Sequence, residues 1–276
     1  MAETALNVAG INDGCPIETA DGLSLLLASN RPGTLGSNDI WTSERSSVDA
    51  PWTAPIQLPP PINTSSNDFC PTPVWGRSLF FVSERPGDGT DPVPCGGGDM
   101  YLSRQSPAGT WSKPALLGCA PDGPNFAGGE RSPALAETWF GTFLLYSSPG
   151  ADGGDSDIYI SRMRGDGTFG PGAVVAELST PFEDIMPNVR ERDDGTFEVV
   201  FSSNRPTWGR GEPSFGGQDV YYSIYTWGRF TPPRNLGADV NTVGVEQRAT
   251  LSKDGKRLHF GRDGDIYTSY RTHGFH

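Results

Sequence analysis

A tripeptide of Asp, an aliphatic residue and an aromatic residue recurs along this chain, and that recurrence limits the fold more than any other feature. The copies are Asp39-Ile40-Trp41, Asp99-Met100-Tyr101, Asp157-Ile158-Tyr159, Asp219-Val220-Tyr221 and Asp265-Ile266-Tyr267. Ahead of the first four lies a hydrophobic stretch ending in small residues, then a Gly-rich loop: Leu25 to Gly33, Leu79 to Gly87, Phe143 to Gly150 and Glu198 to Pro206. The fifth lead-in, Arg257 to Gly264, is degenerate. After the first four tripeptides an aromatic residue enters a Pro-containing turn, at Trp52, Trp111, Phe169 and Phe230. A carboxylate precedes each new unit: Asp13, Asp68, Glu130, Asp184 and Glu246.

One unit therefore reads as acid, strand, turn, strand, Gly-rich loop, strand, aromatic turn, strand. The turns between the first two strands carry Asp21-Gly22, Asp194-Gly195 and Asp254-Gly255, which are hairpin signals. The 36 Gly and 25 Pro argue against long helices and for many short strands. Four strands per unit, repeated, predict an all-β chain: a single five-bladed β-propeller with four-stranded blades. The blades fall at about 13–67, 68–129, 130–183, 184–245, and 246–276 joined by 1–12. The last unit stops at Phe275-His276, where its outer strand should begin, and Ala5-Leu6-Asn7-Val8 resembles Arg234-Asn235-Leu236-Gly237. The N-terminal segment is thus expected to supply the outermost strand of the last blade and leave no open edge.

The combination of Ser29-Asn30-Arg31-Pro32-Gly33 with Asp39-Ile40-Trp41, with acid-x-x-Pro upstream and Asp-Gly before the second strand, resembles the TolB-like propeller repeat (WD40-like repeat) family. The resemblance covers nearly all of the chain. Units one, two and four match best; unit three has Ser148-Pro149 and lacks the Arg, and unit five has Gly261-Arg262 with a shortened loop. The resemblance implies a propeller and, as a common setting, the bacterial cell envelope, hence a periplasmic or secreted protein. It leaves activity open, because such folds host both binding modules and enzymes.

A net charge of −12 repels phosphate backbones, so no nucleic-acid partner is expected. No stretch approaches the roughly 18 apolar residues of a membrane span. Histidines 259, 273 and 276 have no metalloprotease or triad spacing, and no phosphate loop or dinucleotide fingerprint is present.

In a propeller the five acids would all face one end of the channel. Charges about 8 Å apart repel by about 2 kcal/mol at an effective dielectric of about 20. Hydrogen bonds from adjacent-blade amides, partial protonation, or a shared cation such as Ca²⁺ would relieve this. Arg31 with Asp39, Arg85 with Asp99 and Arg205 with Asp219 are expected to clamp the Gly-rich loops. The turn aromatics Trp52, Trp111, Phe169 and Phe230 are expected to pack between blades. The loop 206–218 carries Trp208, Arg210, Glu212 and Phe215, which either cover a blade edge or stack on a ligand. The loops Asp88 to Asp91 and Asp152 to Asp157 lack calcium-loop spacing and read as turns first. Cys95 and Cys119 fall on one blade and could pair; Cys15 and Cys70 hold equivalent positions in adjacent blades, which permits a second bond.

The leading functional expectation is a monomeric recognition module for a peptide, protein or glycan. Its ligand would meet Asp13, Asp68, Glu130, Asp184 and Glu246, with Arg131 and Arg248 beside them and Trp208 and Phe215 at the rim. The alternative is a carbohydrate-active hydrolase of five-bladed propeller type using Asp13, Asp68 and Glu130 as base, modulator and acid.

Overall fold

The second strand of each unit is a nearly continuous apolar run, and such a strand needs cover on both faces. Ser78–Ser83 is buried along its whole length, as is Phe197–Ser203. A computed structural model, describing residues 1–89, 92–151, 153–208 and 211–271 and only the backbone of Trp208, supplies that cover by stacking sheets around a ring.

From the channel outward, blade 1 runs Asp13–Glu18, Ser24–Ser29, Asp39–Glu44 and Ile56–Gln57, all antiparallel. Blade 2 repeats this with Asp68–Val74, Ser78–Ser83, Asp99–Arg104 and Ala115–Leu116. Blade 3 has Arg131–Thr138, Gly141–Ser148, Asp157–Arg162 and Ala173–Val174. Blade 4 has Asp184–Glu191, Phe197–Ser203 and Asp219–Thr226, with its outer edge split into Arg229–Phe230 and Arg234–Asn235. Blade 5 has Glu246–Leu251, Arg257–Arg262 and Asp265–Tyr270. The innermost strands neighbour one another in a closed circle, blade 1 meeting blade 5.

The apolar core lies between blades. Ile17, Leu26 and Ile40 of blade 1 pack on Leu79, Phe81 and Tyr101 of blade 2. The same sandwich recurs at each junction, ending with Leu25, Leu27, Trp41 and Trp52 of blade 1 against Leu6 and Ile266. The turn aromatics take part as expected: Phe169 meets Phe80 of the preceding blade, and Trp52 meets His259 of blade 5.

The N-terminal segment closes the ring, but in a different register from the one expected. Ala2 pairs with Tyr267, the place that Gln57 takes on Trp41, so 1–3 and not 5–8 lies in the outer position. The reason lies at Asn7, whose side chain exchanges two hydrogen bonds with the backbone of Ile266. Asn63 on Ile40, Asn125 on Met100 and Asn241 on Val220 do the same in blades 1, 2 and 4. Asn7 thus takes the role of a loop brace, and the strand lies before it. The expected cysteine pairs, Cys15–Cys70 and Cys95–Cys119, are both formed.

Candidate functional site

The expected clamps pair differently. Arg31 reaches Asp13 at 2.6 Å and Arg85 reaches Asp68 at 2.8 Å, while Arg205 bonds Asp184. In blade 5, Arg262 reaches Glu246 at 2.7 Å. Each guanidinium also lies over the aromatic of its tripeptide: Trp41, Tyr101, Tyr221 and Tyr267. The tripeptide carboxylates Asp39, Asp99 and Asp219 instead accept amides of their own loops, from Leu35, Cys95 and Phe215. Each of these amides stands four residues before the carboxylate that it serves, and the arginine turns back to the strand-entry acid.

These contacts build the strand-entry acids into the walls of the ring. Asp13, Asp68, Asp184 and Glu246 are fully buried, each held by an arginine and by an amide of the preceding loop, from Val8, Thr64, Thr180 and Thr242 respectively. Their charge is balanced within the walls, so they need no shared cation. Among the described residues no three His, Cys, Asp or Glu side chains gather as a metal site. Glu130 differs because blade 3 has Ser148-Pro149 where the other blades carry the clamping arginine. Its carboxyl accepts the Phe126 amide at 2.8 Å and the Ser148 hydroxyl at 3.0 Å, but Oε2 has no partner, nor does Oδ1 of nearby Asp99. Burial, aided by the Asp99 charge, pushes Glu130 up to about 8. Glu130, Asp13 and Asp68 are all buried, and of the three only Asp13 lines the channel-mouth cavity. Phe215 is partly exposed on its loop and lies outside the channel cavity. The Trp208 side chain, Arg210, Thr90, Asp91, Asp152, His273, Phe275 and His276 lie outside the described residues.

What faces the channel comes from a local break in the innermost strands. Two residues after each acid stands one with positive φ: Cys15, Cys70, Ser132, Met186 and Arg248. The strand register shifts at each of these places, a bulge that re-aims one side chain out of the alternation. Cys15 and Cys70 bond to each other, Ser132 lies 3.5 Å from the Cys70 sulfur, and Arg248 crosses the channel to the Pro71 carbonyl and Thr72 hydroxyl of blade 2. Together they make a waist.

Above the waist, where the inter-blade loops meet, opens a cavity of about 330 Å³. Its polar lining includes Asn12, Asn38, Asn67, Glu84, Gln247 and Asp263, with Arg131 and Arg248. Glu84 accepts the Asn67 amide at 2.9 Å and Asp263 accepts the Val245 amide at 3.1 Å, and neither pairs with an arginine or lysine among the described residues. Sequence reasoning named Arg131 and Arg248 but missed Glu84 and Asp263. The signal was present: Glu84 follows the strand-ending Ser83 where Asn30 and Asn204 follow theirs.

No protein-family model matches the sequence. No curated protein matches it either. Solved structures do match in shape. An endo-arabinase from Bacteroides thetaiotaomicron is 13% identical with a TM-score of 0.56, over 98% of this chain and 97% of that one. An exo-1,5-alpha-L-arabinanase from a bovine ruminal metagenomic library is 9% identical with a TM-score of 0.57, over 96% and 98%. A mannose phosphorylase from Leishmania mexicana, in complex with phosphate ion, is 9% identical with a TM-score of 0.58, over 95% and 84%. At such identity the shared property is the fold. The finding still corrects two expectations: neighbours over nearly the whole chain include a thermostable family-43 glycoside hydrolase and the arabinan-directed enzymes, which speaks against the TolB-like resemblance and against a module built only for recognition.

Proposed function

We propose that the chain is a carbohydrate-active hydrolase working at the channel mouth. The observation that carries this reading is the cavity above the waist, which presents two carboxylates, Glu84 and Asp263, that no arginine among the described residues neutralises. Its volume falls in the range of about 300–1,000 Å³ usual for ligand pockets. Asn12, Asn38, Asn67 and Gln247 supply amide donors and acceptors suited to sugar hydroxyls. Glycoside hydrolysis needs one carboxyl to protonate the leaving oxygen and a second to activate water or attack the sugar. Glu84 and Asp263 come from blades 2 and 5, the two blades that flank blade 1, and both line the cavity. The arabinan-directed names among the structural neighbours support polysaccharide as the substrate class. The two disulfides support an oxidising compartment outside the cytosol.

The test is release of reducing sugar from arabinan, xylan and mannan and of nitrophenol from aryl glycosides. Glu84→Gln and Asp263→Asn should each lower the rate by at least about 100-fold with the fold intact. No turnover on any of these substrates, or full activity in both variants, would remove the hydrolase reading.

A further inference from the structure

Arg248 is the most buried arginine among the described residues, and it has no acid. The other buried arginines, Arg31, Arg45 and Arg205, each hold a carboxylate. Arg248 is 1% exposed, bonds only the carbonyls of Pro71 and Pro187 and the Thr72 hydroxyl, and leaves its Nε without a partner. A buried charge without a counter-charge is costly. Burial alone pulls this guanidinium down to about 9, so it stays charged at neutral pH. It lines the channel-mouth cavity, and Arg131, which lines the same cavity, likewise forms no ion pair with an acid among the described residues. The cavity's own acids, Glu84 and Asp263, are bonded instead to the Asn67 side chain and the Val245 amide.

Resting on the hydrolase reading for the sugar but not for the charge, we infer that Arg248 and Arg131 receive an oxyanion of the ligand at the base of the cavity. The shared chemistry is a compact anionic group with several acceptor oxygens, which matches the fork of guanidinium donors. Two sources carry it: the carboxylate of a uronic-acid residue, or inorganic phosphate. An acidic saccharide would place its ring between Glu84 and Asp263 with the carboxylate downward. Phosphate would occupy the floor alone, below the sugar.

Binding of glucuronate, galacturonate, their neutral counterparts glucose and galactose, and inorganic phosphate is measured by calorimetry at constant ionic strength in chloride. The full chain is compared with Arg131→Gln, an exposed site whose substitution leaves the waist intact. Uronate binding that exceeds the neutral sugar by about tenfold and falls by about tenfold in Arg131→Gln supports the inference and names the acidic sugar. Phosphate binding with the same dependence on Arg131 supports it and names phosphate. Neutral sugars binding as well as uronates, with phosphate silent, overturns the inference and leaves the carbohydrate reading standing. Silence from every anion likewise overturns it, while the hydrolase reading is then judged by the Glu84 and Asp263 variants alone.

Discussion

Arg262 bonds Glu246 from a position two residues earlier in its strand than Arg31 occupies relative to Asp13, because Arg262 itself pairs with Glu246 in the sheet whereas Ser29 pairs with Asp13. The same ion pair is thus rebuilt without the loop that carries it elsewhere. Its Nη2 still reaches the Val240 carbonyl, as Arg31 reaches that of Leu6. The pair is therefore a joint between one blade and the loop arriving from the last.

Arg262→Ala should accordingly destabilise the chain by about 3–5 kcal/mol, since it strands a fully buried Glu246 without its cation. Denaturant unfolding measures this. A loss below about 1 kcal/mol would mean that the pair acts like an exposed one.

Blade 3 should make stability depend on pH through Glu130. Glu130 is pushed up to about 8 in the folded chain and returns to the ordinary carboxylate range when unfolded. Between those values the folded state holds the extra proton, so stability falls as pH rises from about 5 to about 8. Glu130→Gln should remove that slope and raise the melting temperature most at pH 8. Parallel melting curves for both proteins across this range would show that Glu130 is ionised in the native state.

Leu6 is fully buried between blades 1 and 5, and its carbonyl accepts Arg31. Leu6→Ala should cost about 2–5 kcal/mol, the usual result of emptying a packed leucine site. A thermal melt that barely moves would show that closure does not depend on this segment.

Replacing Cys15 and Cys70 together by Ser should cost about 2–4 kcal/mol, because the bond restrains a 55-residue separation in the unfolded chain. Chemical unfolding with and without reductant checks this. The double variant should lose its response to reductant in proportion.

The ring, its five units and its N-terminal closure could be read from the sequence because each depends on a pattern that returns. Asp before an aliphatic and an aromatic residue marks the third strand wherever it occurs. The partners of those acids could not be read the same way. Arg31 lies between two carboxylates in sequence, Asp13 and Asp39, and only the fold shows that the loop amides have already satisfied the second. The outer strand was misplaced for a related reason: the resemblance of 5–8 to 234–237 set Asn7 opposite Leu236, whereas its bonds match those of Asn241. Residues that face the channel are those on which the copies disagree. Glu84 stands against Asn30, Arg131 against Gly14, and Arg248 against Cys15. A repeated pattern reports what every blade needs to stand, and the departures from it mark the cavity.

The waist gives this division a physical basis. Its five positions hang on bulges, outside the in-and-out order that locks strand register, so the residue placed there has little say in how the blades pair. A disulfide, a hydroxyl, a thioether and a guanidinium already occupy them on one backbone. Such a throat works as an exchangeable fitting: its polarity, charge and bore can be altered one side chain at a time while the surrounding masonry stays in place.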